Sequence, residues 1–565
     1  MPAPLRLVAA LLATLPLACA APRRPDREPA TTQHEAPARE RPRLVVIVVV
    51  DQMRGDYLDR FAHLFDDGLA RLREGGALFV DGRIAHAVTM TSPGHASVVT
   101  GTHPRQHGVI QNEWFDRNAR APVYAAADPN APLLGPAGEL AGLEGRSPAS
   151  LLRPALGDWL KDASPTSEVH AIAFKDRAAV LLGGQRPDSV HWYEPTLPGY
   201  VSSRHYEAAL PPWVAAFDAS PAIDAELGAP WARALPADRY AFVGDDRVPT
   251  EGDGVDTTFP HRLGDDPSSY HKGLGTSPRG DALTLALATE ALAGESLGRD
   301  DAPDLLLISL SGADLVGHAF GPESHELVDY YVHLDRRLGD FMRRLDADHG
   351  DRYILVLTSD HGVASLPEIA AARGESAERV LAADFEAAVA ATLATVAAEL
   401  APPGADAPPA KIAFTAFNEA IWLDLDHLPA GVDPPALRAA AAAALRQLPF
   451  VEEAYTYDDL AGDHRDPARP LLERFRLGFV ADRTPDIQLQ GPPGWLVNNR
   501  PRGTSHGSPH GYDTQVPIVF YGADVRPGRR FEAARTVDIA PTIAELLGVT
   551  PPPGIDGRSL TPLLR

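Results

Sequence analysis

Seven residues that could bind metal ions or act as a nucleophile are spread along the chain, and most follow an apolar run or lie in a glycine-rich turn. Asp and His bind zinc and similar divalent ions, and a threonine hydroxyl becomes nucleophilic when a metal or base removes its proton. Together they predict a two-metal site with a hydroxyl nucleophile, which suits the cleavage of phosphate esters. The residues are Asp51, Thr91, Asp314, His318, Asp360, His361 and His506.

The segment TSPGHASVVTG, from Thr91 to Gly101, predicts a helix. Thr91 is a favourable N-cap, Pro93 suits the first turn, and Gly101 suits the stop. Alone, this pattern indicates only a capped helix. The free N–H groups and the positive end of the helix dipole would also favour a phosphoryl group beside the Thr91 hydroxyl.

The four acidic and histidine residues in the middle of the chain form two short motifs. Asp314 and His318 are four residues apart, so they share one face of a helix and could bind one ion, although such a pair is also a common salt bridge. Asp360 and His361 directly follow an apolar run, and Gly362 allows the backbone to turn there.

A histidine-containing loop, SHGSPHGYD, precedes the last apolar run of the chain. It offers two candidate ligands, His506 and His510, and we favour His506. Histidines in such loops are often simply exposed. With Cys19 as the only cysteine, thiolate metal ligands are excluded from the mature chain, so histidine and aspartate must hold any ions.

A charge cluster, Lys175-Asp176-Arg177, follows a short apolar run. It is either a solvated surface cluster or a phosphate clamp, in which lysine acts as a point charge and arginine as a planar fork of donors. The net charge of −24 repels phosphate, nucleic acid and anionic lipid at long range. An anionic substrate therefore needs local positive charge, and no nucleic-acid partner is expected.

Apolar runs that predict buried strands alternate with helical patterns at 282–293, 326–345 and 537–547. This alternation predicts an α/β fold with a doubly wound, mostly parallel sheet flanked by helices. Ligands of such sheets bind outside the carboxyl ends of the strands, where the candidate residues lie. The predicted strands are Leu44–Val50, Val169–Phe174, Asp304–Ser311, Tyr353–Ser359 and Val516–Gly522.

The chain of 565 residues predicts one large catalytic domain at 42–565 that carries two insertions. One insertion covers about 186–275 and shows little periodicity. The other, at about 384–500, predicts a smaller α+β subdomain with helices near 384–400 and 435–446. The Pro-, Arg- and Glu-rich residues 21–41 predict a disordered linker.

The first twenty residues have the pattern of a signal peptide, in which Arg6 precedes an apolar run and Ala18-Cys19-Ala20 matches a cleavage site. A periplasmic or secreted protein is therefore expected. Cys19 could instead carry a lipid anchor, which would make the protein a membrane-anchored lipoprotein. No other stretch is long and apolar enough to span a membrane.

The motifs in their order along the chain resemble those of the alkaline phosphatase superfamily, which includes nucleotide pyrophosphatases/phosphodiesterases. The chain is most similar to bacterial alkaline phosphatases of the PafA type, which use a threonine nucleophile. The likeness covers roughly residues 43–565. It rests on the stretches Val48–Asp56, Thr91–Asp116, Phe174–Arg177, Tyr200–Ser203, Ser309–Pro322, Thr358–Gly362 and His506–Pro517.

The resemblance implies a role for each candidate residue and a cofactor of two Zn²⁺ ions. Thr91 would be the nucleophile and form a phosphothreonine, while Asn112, Lys175 and Arg177 would contact the phosphoryl oxygens. Ala178 stands where relatives often have glycine, which leaves the clamp geometry open. One zinc would be held by Asp51, Asp360, His361 and Thr91, and the other by Asp314, His318 and His506.

The resemblance implies a phosphomonoesterase that hydrolyses small phosphate monoesters, and the signal-peptide pattern adds that it is exported. The alternative is a phosphodiesterase or nucleotide pyrophosphatase with the same metal core, and the Lys175 and Arg177 clamp favours the doubly charged monoester. A phosphate- or metal-binding protein without turnover is a third possibility. Zinc cannot be separated from manganese or iron on ligand type alone, and the sequence leaves the oligomeric state open.

Overall fold

Strands of a central sheet determine where the polar residues meet. The computed structural model describes residues 41–400, 412–428 and 432–565. In these ranges the strands, numbered in chain order, are β1 (Leu44–Val50), β2 (Ala77–Phe79), β3 (Gly82–Arg83), β4 (Glu113–Asp116), β5 (Ala121–Tyr124), β6 (Leu133–Gly135), β7 (Gly138–Glu139), β8 (Val169–Ala173), β9 (Ser189–Glu194), β10 (Gly199–Ser203), β11 (Asp304–Leu310), β12 (Tyr353–Thr358), β13 (Glu378–Leu381), β14 (Phe414–Phe417), β15 (Ala420–Leu423), β16 (Glu453–Thr456), β17 (Ile487–Gln490), β18 (Trp495–Asn498), β19 (Ile518–Gly522), β20 (Gly528–Arg530) and β21 (Ala534–Arg535).

Helices connect most of these strands and cover both faces of the sheet. Over the same ranges they are α1 (Tyr57–Arg60), α2 (Gly68–Gly75), α3 (Thr91–Thr100), α4 (Pro104–His107), α5 (Leu156–Ala163), α6 (Asp176–Gly183), α7 (Pro212–Asp218), α8 (Pro267–Gly273), α9 (Pro278–Gly294), α10 (Gly312–Phe320), α11 (His325–His349), α12 (Pro367–Ala372), α13 (Ala382–Leu400), α14 (Pro434–Leu445), α15 (Tyr457–Ala461), α16 (Leu472–Arg476), α17 (Gly511–Thr514), α18 (Ile539–Leu547) and α19 (Thr561–Leu564).

The main sheet has eleven strands in the order β20-β2-β19-β12-β1-β11-β8-β9-β10-β6-β7. The five neighbouring strands from β12 to β9 are parallel. On both sides of this centre antiparallel pairs follow, first β12 with β19 and β9 with β10, whereas the outermost pair on the β19 side, β2 with β20, is parallel. The expected α/β fold is confirmed, and the sheet is mixed: antiparallel edges on a parallel centre are common in large sheets.

Strand β1 lies at the centre of the sheet and is completely buried. Successive side chains of a strand point to opposite faces. Val46 and Val48 pack in the core that contains residues of α9 and α11, whereas Val45 and Ile47 pack in the core that contains residues of α3, α5, α6 and α18. Helices on both faces explain why the strand is continuously apolar rather than alternating, as a doubly wound sheet requires.

The observed strands end within one residue of the sequence predictions, except that the last strand begins at Ile518 rather than Val516. Within the segment 186–275, strands β9 and β10 join the main sheet, and α7 and α8 follow them. Within 384–500, α13 and α14 pack on a separate four-stranded antiparallel sheet, β14-β15-β17-β16, around their own apolar core.

The expected signal peptide at 1–20, the possible anchor at Cys19 and all but Arg41 of the expected linker at 21–41 lie outside the described residues. Of the helices that the structure describes, none has the length and apolar character needed to cross a membrane.

Candidate active site

The predicted ligands Asp51 and Asp360 lie side by side because the strands before them are neighbours in the sheet. Strands β1 and β12 run parallel, with Val49 opposite Thr358, and the segments that follow them leave the sheet at the carboxyl ends of both strands. Asp51 directly follows β1, and Asp360 lies two residues beyond β12. Both carboxylates are completely buried. Parallel strands therefore bring two acids from distant parts of the sequence to one point.

His361 completes a group of three possible metal ligands with these acids. One ligand atom from each of Asp51, Asp360 and His361 lies within 4.8 Å of the other two. The His361 Nε2 atom is 3.3 Å from Asp51 Oδ1 and 3.5 Å from Asp360 Oδ2. This geometry has the ligand types and spacing of a divalent-metal site.

A second group forms beside the first, around Asp314 on α10. Ligand atoms of Asp314, His361 and His506 also lie within 4.8 Å of one another. The Nε2 atoms of His318 and His506 are 3.2 Å and 3.5 Å from Asp314 Oδ1. The rings of His361 and His506 stack at a centroid distance of 3.5 Å. His361 thus lies between the two groups, although the sequence assigned it to one ion alone.

The three imidazoles are oriented by main-chain carbonyls. The Nδ1 atoms of His361, His318 and His506 lie 3.0, 2.8 and 2.8 Å from the carbonyl oxygens of Gly362, Thr504 and Thr89. A carbonyl can only accept, so in its neutral form each imidazole carries its proton on Nδ1 and leaves Nε2 unprotonated and able to bind a cation. Metal-binding histidines are held in this way by outer hydrogen bonds.

The buried carboxylates create a strong demand for positive charge. Burial and the nearby Asp314 and Asp360 raise the pKa of Asp51 well above its usual range. Burial also opposes ionisation of Asp314, but the neighbouring His318 and Lys175 outweigh it and hold its pKa well below the usual range. Among the described residues, Asp51 Oδ1 and His361 Nε2 have no hydrogen-bond partner. These orphaned polar atoms and the donor types fit a pair of divalent cations.

Lys175 supplies part of the positive charge. Its Nζ atom donates to Asp51 Oδ2 at 2.7 Å and also to Asp314, so it bridges the two ligand groups. Burial alone would lower the pKa of Lys175, but the two carboxylates raise it above its ordinary value, and the ammonium remains charged. The alternative of a solvated surface charge does not apply, because the Lys175 side chain is only 9% exposed.

Thr91 is the first residue of α3 rather than its N-cap, which is Met90. The prediction was wrong by one position because the backbone is already helical at Thr91. The residue is buried, and Arg177 Nη2 donates to its hydroxyl at 3.4 Å. The Asn112 Oδ1 atom accepts the Ser92 N–H at 2.9 Å, so the Asn112 carboxamide stands at the start of this helix with its NH₂ group remaining as a donor.

The start of α3 packs directly against Asp360 through Gly94. A Cβ atom on Gly94 would lie 2.5 Å from the Asp360 carbonyl oxygen and 2.6 Å from the Asp360 Cβ atom. Real Cβ atoms do not approach other atoms so closely, and the crowding partner is backbone. Glycine at this position therefore brings the threonine hydroxyl and Asp360, a possible metal ligand, onto adjacent segments.

We expect Gly94→Ala to destabilise the protein by about 1–3 kcal/mol, the usual cost of overpacking, and to reduce activity by displacing Thr91. Chemical denaturation and initial-rate assays measure the two effects. Gly511→Ala is the matched control, because a Cβ there meets no atom within 4 Å. Equal stability and activity of the two variants would contradict the close packing of α3 on Asp360.

Two residues that the sequence did not single out also hold the site together. Gln52 Nε2 donates to Asp314 Oδ1 at 2.6 Å, and its backbone N–H donates to Asp360 Oδ1 at 3.2 Å. His95 Nδ1 is 2.8 Å from the Thr91 carbonyl oxygen and 3.1 Å from Asp360 Oδ2. The spacing of His95, one helical turn after Thr91, was a usable signal. The sequence around Gln52 gave no such signal, because the contacts of Gln52 depend on its left-handed backbone conformation at φ 68°.

Asp176, which stands between the two clamp residues, is itself held in place by two side chains. Asp176 accepts hydrogen bonds from the Tyr124 hydroxyl and from Arg146 Nε, both at 2.6 Å. Burial would raise the pKa of Asp176, but Arg146 and Arg177 lower it below its ordinary value. Ala178 is completely buried in the following helix. At the start of α6, Asp176 thus pairs with Arg146, and Lys175 pairs with Asp51 and Asp314.

His510, the competing candidate ligand, lies away from the two groups. Its Nε2 atom is 3.0 Å from the Gly491 carbonyl oxygen, in the segment that follows β17. The intervening loop is shaped by Asp513, which accepts from the Gly507 and Ser508 N–H groups at 3.2 and 2.8 Å. This turn directs His506 alone toward Asp314.

Comparisons with known proteins point to one family. A family model for type I phosphodiesterase / nucleotide pyrophosphatase matches residues 45–513. Alkaline phosphatase PafA of Elizabethkingia meningoseptica is 31% identical over 93% of this chain and 95% of its own, and alkaline phosphatase PhoV of Synechococcus elongatus is 32% identical over 93% of each chain. The crystal structure of PafA matches with a TM-score of 0.84 and 29% identity, over 94% of this chain and 100% of that one. The chain therefore belongs to the type I phosphodiesterase/nucleotide pyrophosphatase family, within the alkaline phosphatase superfamily.

Proposed function

We propose that this chain, a metal-dependent phosphatase of the superfamily, is an exported phosphomonoesterase with two zinc ions and Thr91 as its nucleophile. Asp51, Asp360 and His361 would hold one ion, and Asp314, His318 and His506 the other. When bound, the ions would supply positive charge to the attacking and leaving oxygens of an in-line displacement. Residues 1–20 as a signal peptide, 21–41 as a linker and 42–565 as the catalytic domain complete the proposal.

The observation that carries the proposal is the position of the Thr91 hydroxyl. It lies at the N-terminus of a buried helix, accepts a hydrogen bond from Arg177 and adjoins Asp360 through Gly94. A binding protein without turnover would have no use for a nucleophile in this place. The helix N–H groups and Arg177 together favour a phosphoryl group in front of the hydroxyl.

The chain's residues would act in two displacements. The Thr91 hydroxyl gives up its proton, its oxygen attacks phosphorus, the bond to the ester oxygen breaks, and the leaving oxygen takes up a proton, so that the phosphoryl group is carried on Thr91 as a phosphothreonine. Water then gives up a proton and attacks the same phosphorus from the vacated side, the bond to Thr91 breaks, the Thr91 oxygen regains a proton, and phosphate leaves. Arg177, Lys175 and the Asn112 NH₂ group would donate to the phosphoryl oxygens in both steps and stabilise their growing charge.

Preference for monoesters rests on the charge of the clamp. A monoester dianion has one more charged oxygen than a diester, and it gains more from Lys175 and Arg177. Burial would lower the pKa of Arg177, but Tyr124 and Asp176 raise it, so the guanidinium stays charged. The alternative, a phosphodiesterase with the same metal core, would need an apolar contact for its second ester group instead.

We expect the Lys175→Ala/Arg177→Ala variant to lose monoesterase activity at least about tenfold more than diesterase activity, because a charge-assisted hydrogen bond contributes roughly 1.5–3 kcal/mol. Parallel assays on an aryl phosphate and on the matched methyl aryl phosphate measure the two kcat/KM values. Lys272→Ala, an exposed lysine on α8, is the control. Zinc content is measured on each variant.

Equal losses on the two substrates at unchanged zinc content would remove the basis for the monoester preference. A wild-type protein that hydrolyses the diester faster than the monoester would favour the phosphodiesterase. Tight binding of inorganic phosphate with no hydrolysis of either ester by zinc-loaded protein would favour a binding protein.

A further inference from the structure

A second cluster of residues that could bind a metal lies at the amino-terminal ends of the central strands, opposite the candidate active site. Glu168 precedes β8, His170 is the second residue of that strand, and Glu295 directly follows α9. One ligand atom from each of the three lies within 4.8 Å of the other two. Lys175 follows the carboxyl end of the same strand, so the cluster and the candidate active site stand at opposite ends of β8.

Outer hydrogen bonds fix the orientation of two members of this cluster. The His170 Nδ1 atom is 2.7 Å from Ser189 Oγ, while its Nε2 atom faces Glu168 Oε2 at 2.9 Å. The Trp213 indole N–H donates to Glu295 Oε1 at 2.5 Å. An imidazole held at one nitrogen and a carboxylate held at one oxygen is the arrangement that metal sites use to aim their ligands.

A second acid and imidazole lie behind the cluster. Ser189 is opposite His170 and His191 is opposite Ile172 in the parallel pairing of β8 with β9, so the two histidines share one sheet face. The His191 Nε2 atom is 3.3 Å from Glu207 Oε1, and the two side chains are 0% and 8% exposed. None of their side-chain nitrogen or oxygen atoms has a hydrogen-bond partner among the described residues.

The cluster lacks positive charge. In the part of the chain that the structure describes, the ion-pair partners of Glu168 and Glu207 are His170 and His191, and neither these acids nor Glu295 pairs with lysine or arginine. Burial, with a contribution from Glu295, raises the pKa of Glu207 to about 8. Three carboxylates gathered without a fixed cation are costly unless an ion or protons neutralise them.

We propose that Glu168, His170 and Glu295 bind a third divalent metal ion, separate from the candidate active site. One imidazole and two carboxylates suit zinc, with water completing the coordination. Glu168 and Glu295 are each partly exposed, which gives the ion a path from solvent. The ion would tie the start of β8 to the end of α9 and so stabilise the fold.

The experiment counts zinc ions in protein that has been loaded with zinc and then desalted. We expect three ions per chain in the wild type and two in Glu295→Gln, with kcat for a phosphate monoester unchanged. The amide oxygen in Glu295→Gln can still accept from Trp213, so the variant keeps the local packing. Glu290→Gln, which removes an exposed acid of α9, is the matched control and is expected to keep three ions.

Anomalous scattering at the zinc edge locates the ions in crystals of the same samples. A peak between Glu168, His170 and Glu295 in the wild type, absent in Glu295→Gln, is the expected result, and His170→Gln supplies the same test at a second ligand. Identical zinc counts in the wild type and Glu295→Gln, with no peak at this position, would overturn the proposal. The test measures a difference of one ion between the wild type and Glu295→Gln. Its outcome therefore does not depend on whether the candidate active site binds two ions or supports turnover.

Discussion

Replacement of Thr91 by alanine is expected to lower kcat for a phosphate monoester by at least about 10³-fold, because removing a nucleophile deletes the bond-forming atom itself. The fold should survive, since Thr91 begins α3 without acting as its cap. Rapid acid quenching with a labelled monoester measures the phosphorylated protein directly. The wild type should accumulate label on Thr91, and Thr91→Ala should show none.

Thr91→Ser provides the control, because it keeps the hydroxyl and removes one methyl group. We expect it to retain labelling and much of the turnover. Thr91→Ala with turnover close to wild type, or with label on another residue, would show that a different group attacks phosphorus.

Loss of His361 is expected to have the second large effect, because its ring stands in both ligand groups. We expect His361→Gln to weaken metal binding by more than about 100-fold, which exceeds the usual loss from removing an outer-shell partner. The three nearby carboxylates would then lie buried with less compensating charge, so turnover should fall in parallel. Zinc content after dialysis and initial rates at increasing zinc concentration measure both effects.

His510→Gln is the matched control, since it removes a nearby histidine whose Nε2 faces the Gly491 carbonyl oxygen instead. It should bind zinc like the wild type. Full zinc content in His361→Gln would contradict a shared ligand, and loss of zinc in His510→Gln would reopen the choice between the two loop histidines.

The central architecture was predictable because its cause is local. Strand β1 consists of seven consecutive β-branched or leucine residues, and only a strand covered on both faces needs such a run. The outer strands of the sheet had no comparable signal. Strands such as β6 and β20 are three residues long, and their pairing depends on where the chain returns rather than on their side chains.

The gathering of ligands was predictable to a similar extent. Asp51 and Asp360 end neighbouring parallel strands, a position from which side chains must converge. The sharing of His361 between the groups was not predictable, since it depends on ring stacking with His506. The contacts of Gln52 depend on its backbone dihedral. The assignment of Thr91 as nucleophile and of two zinc ions stays a prediction.

Carbonyl groups of the main chain orient the rings of His318, His361 and His506, and this affects which substitutions the site tolerates. Every amino acid carries the same carbonyl, so exchange of the Thr504 or Thr89 side chain removes no acceptor, although it removes a hydroxyl that donates to the Ala364 or Ser508 carbonyl. Insertions, deletions or a proline that redirects the loop would move the acceptor. The orientation of the three rings therefore depends on the path of the backbone. Homologues can differ in amino-acid type at these positions as long as the loop length is kept.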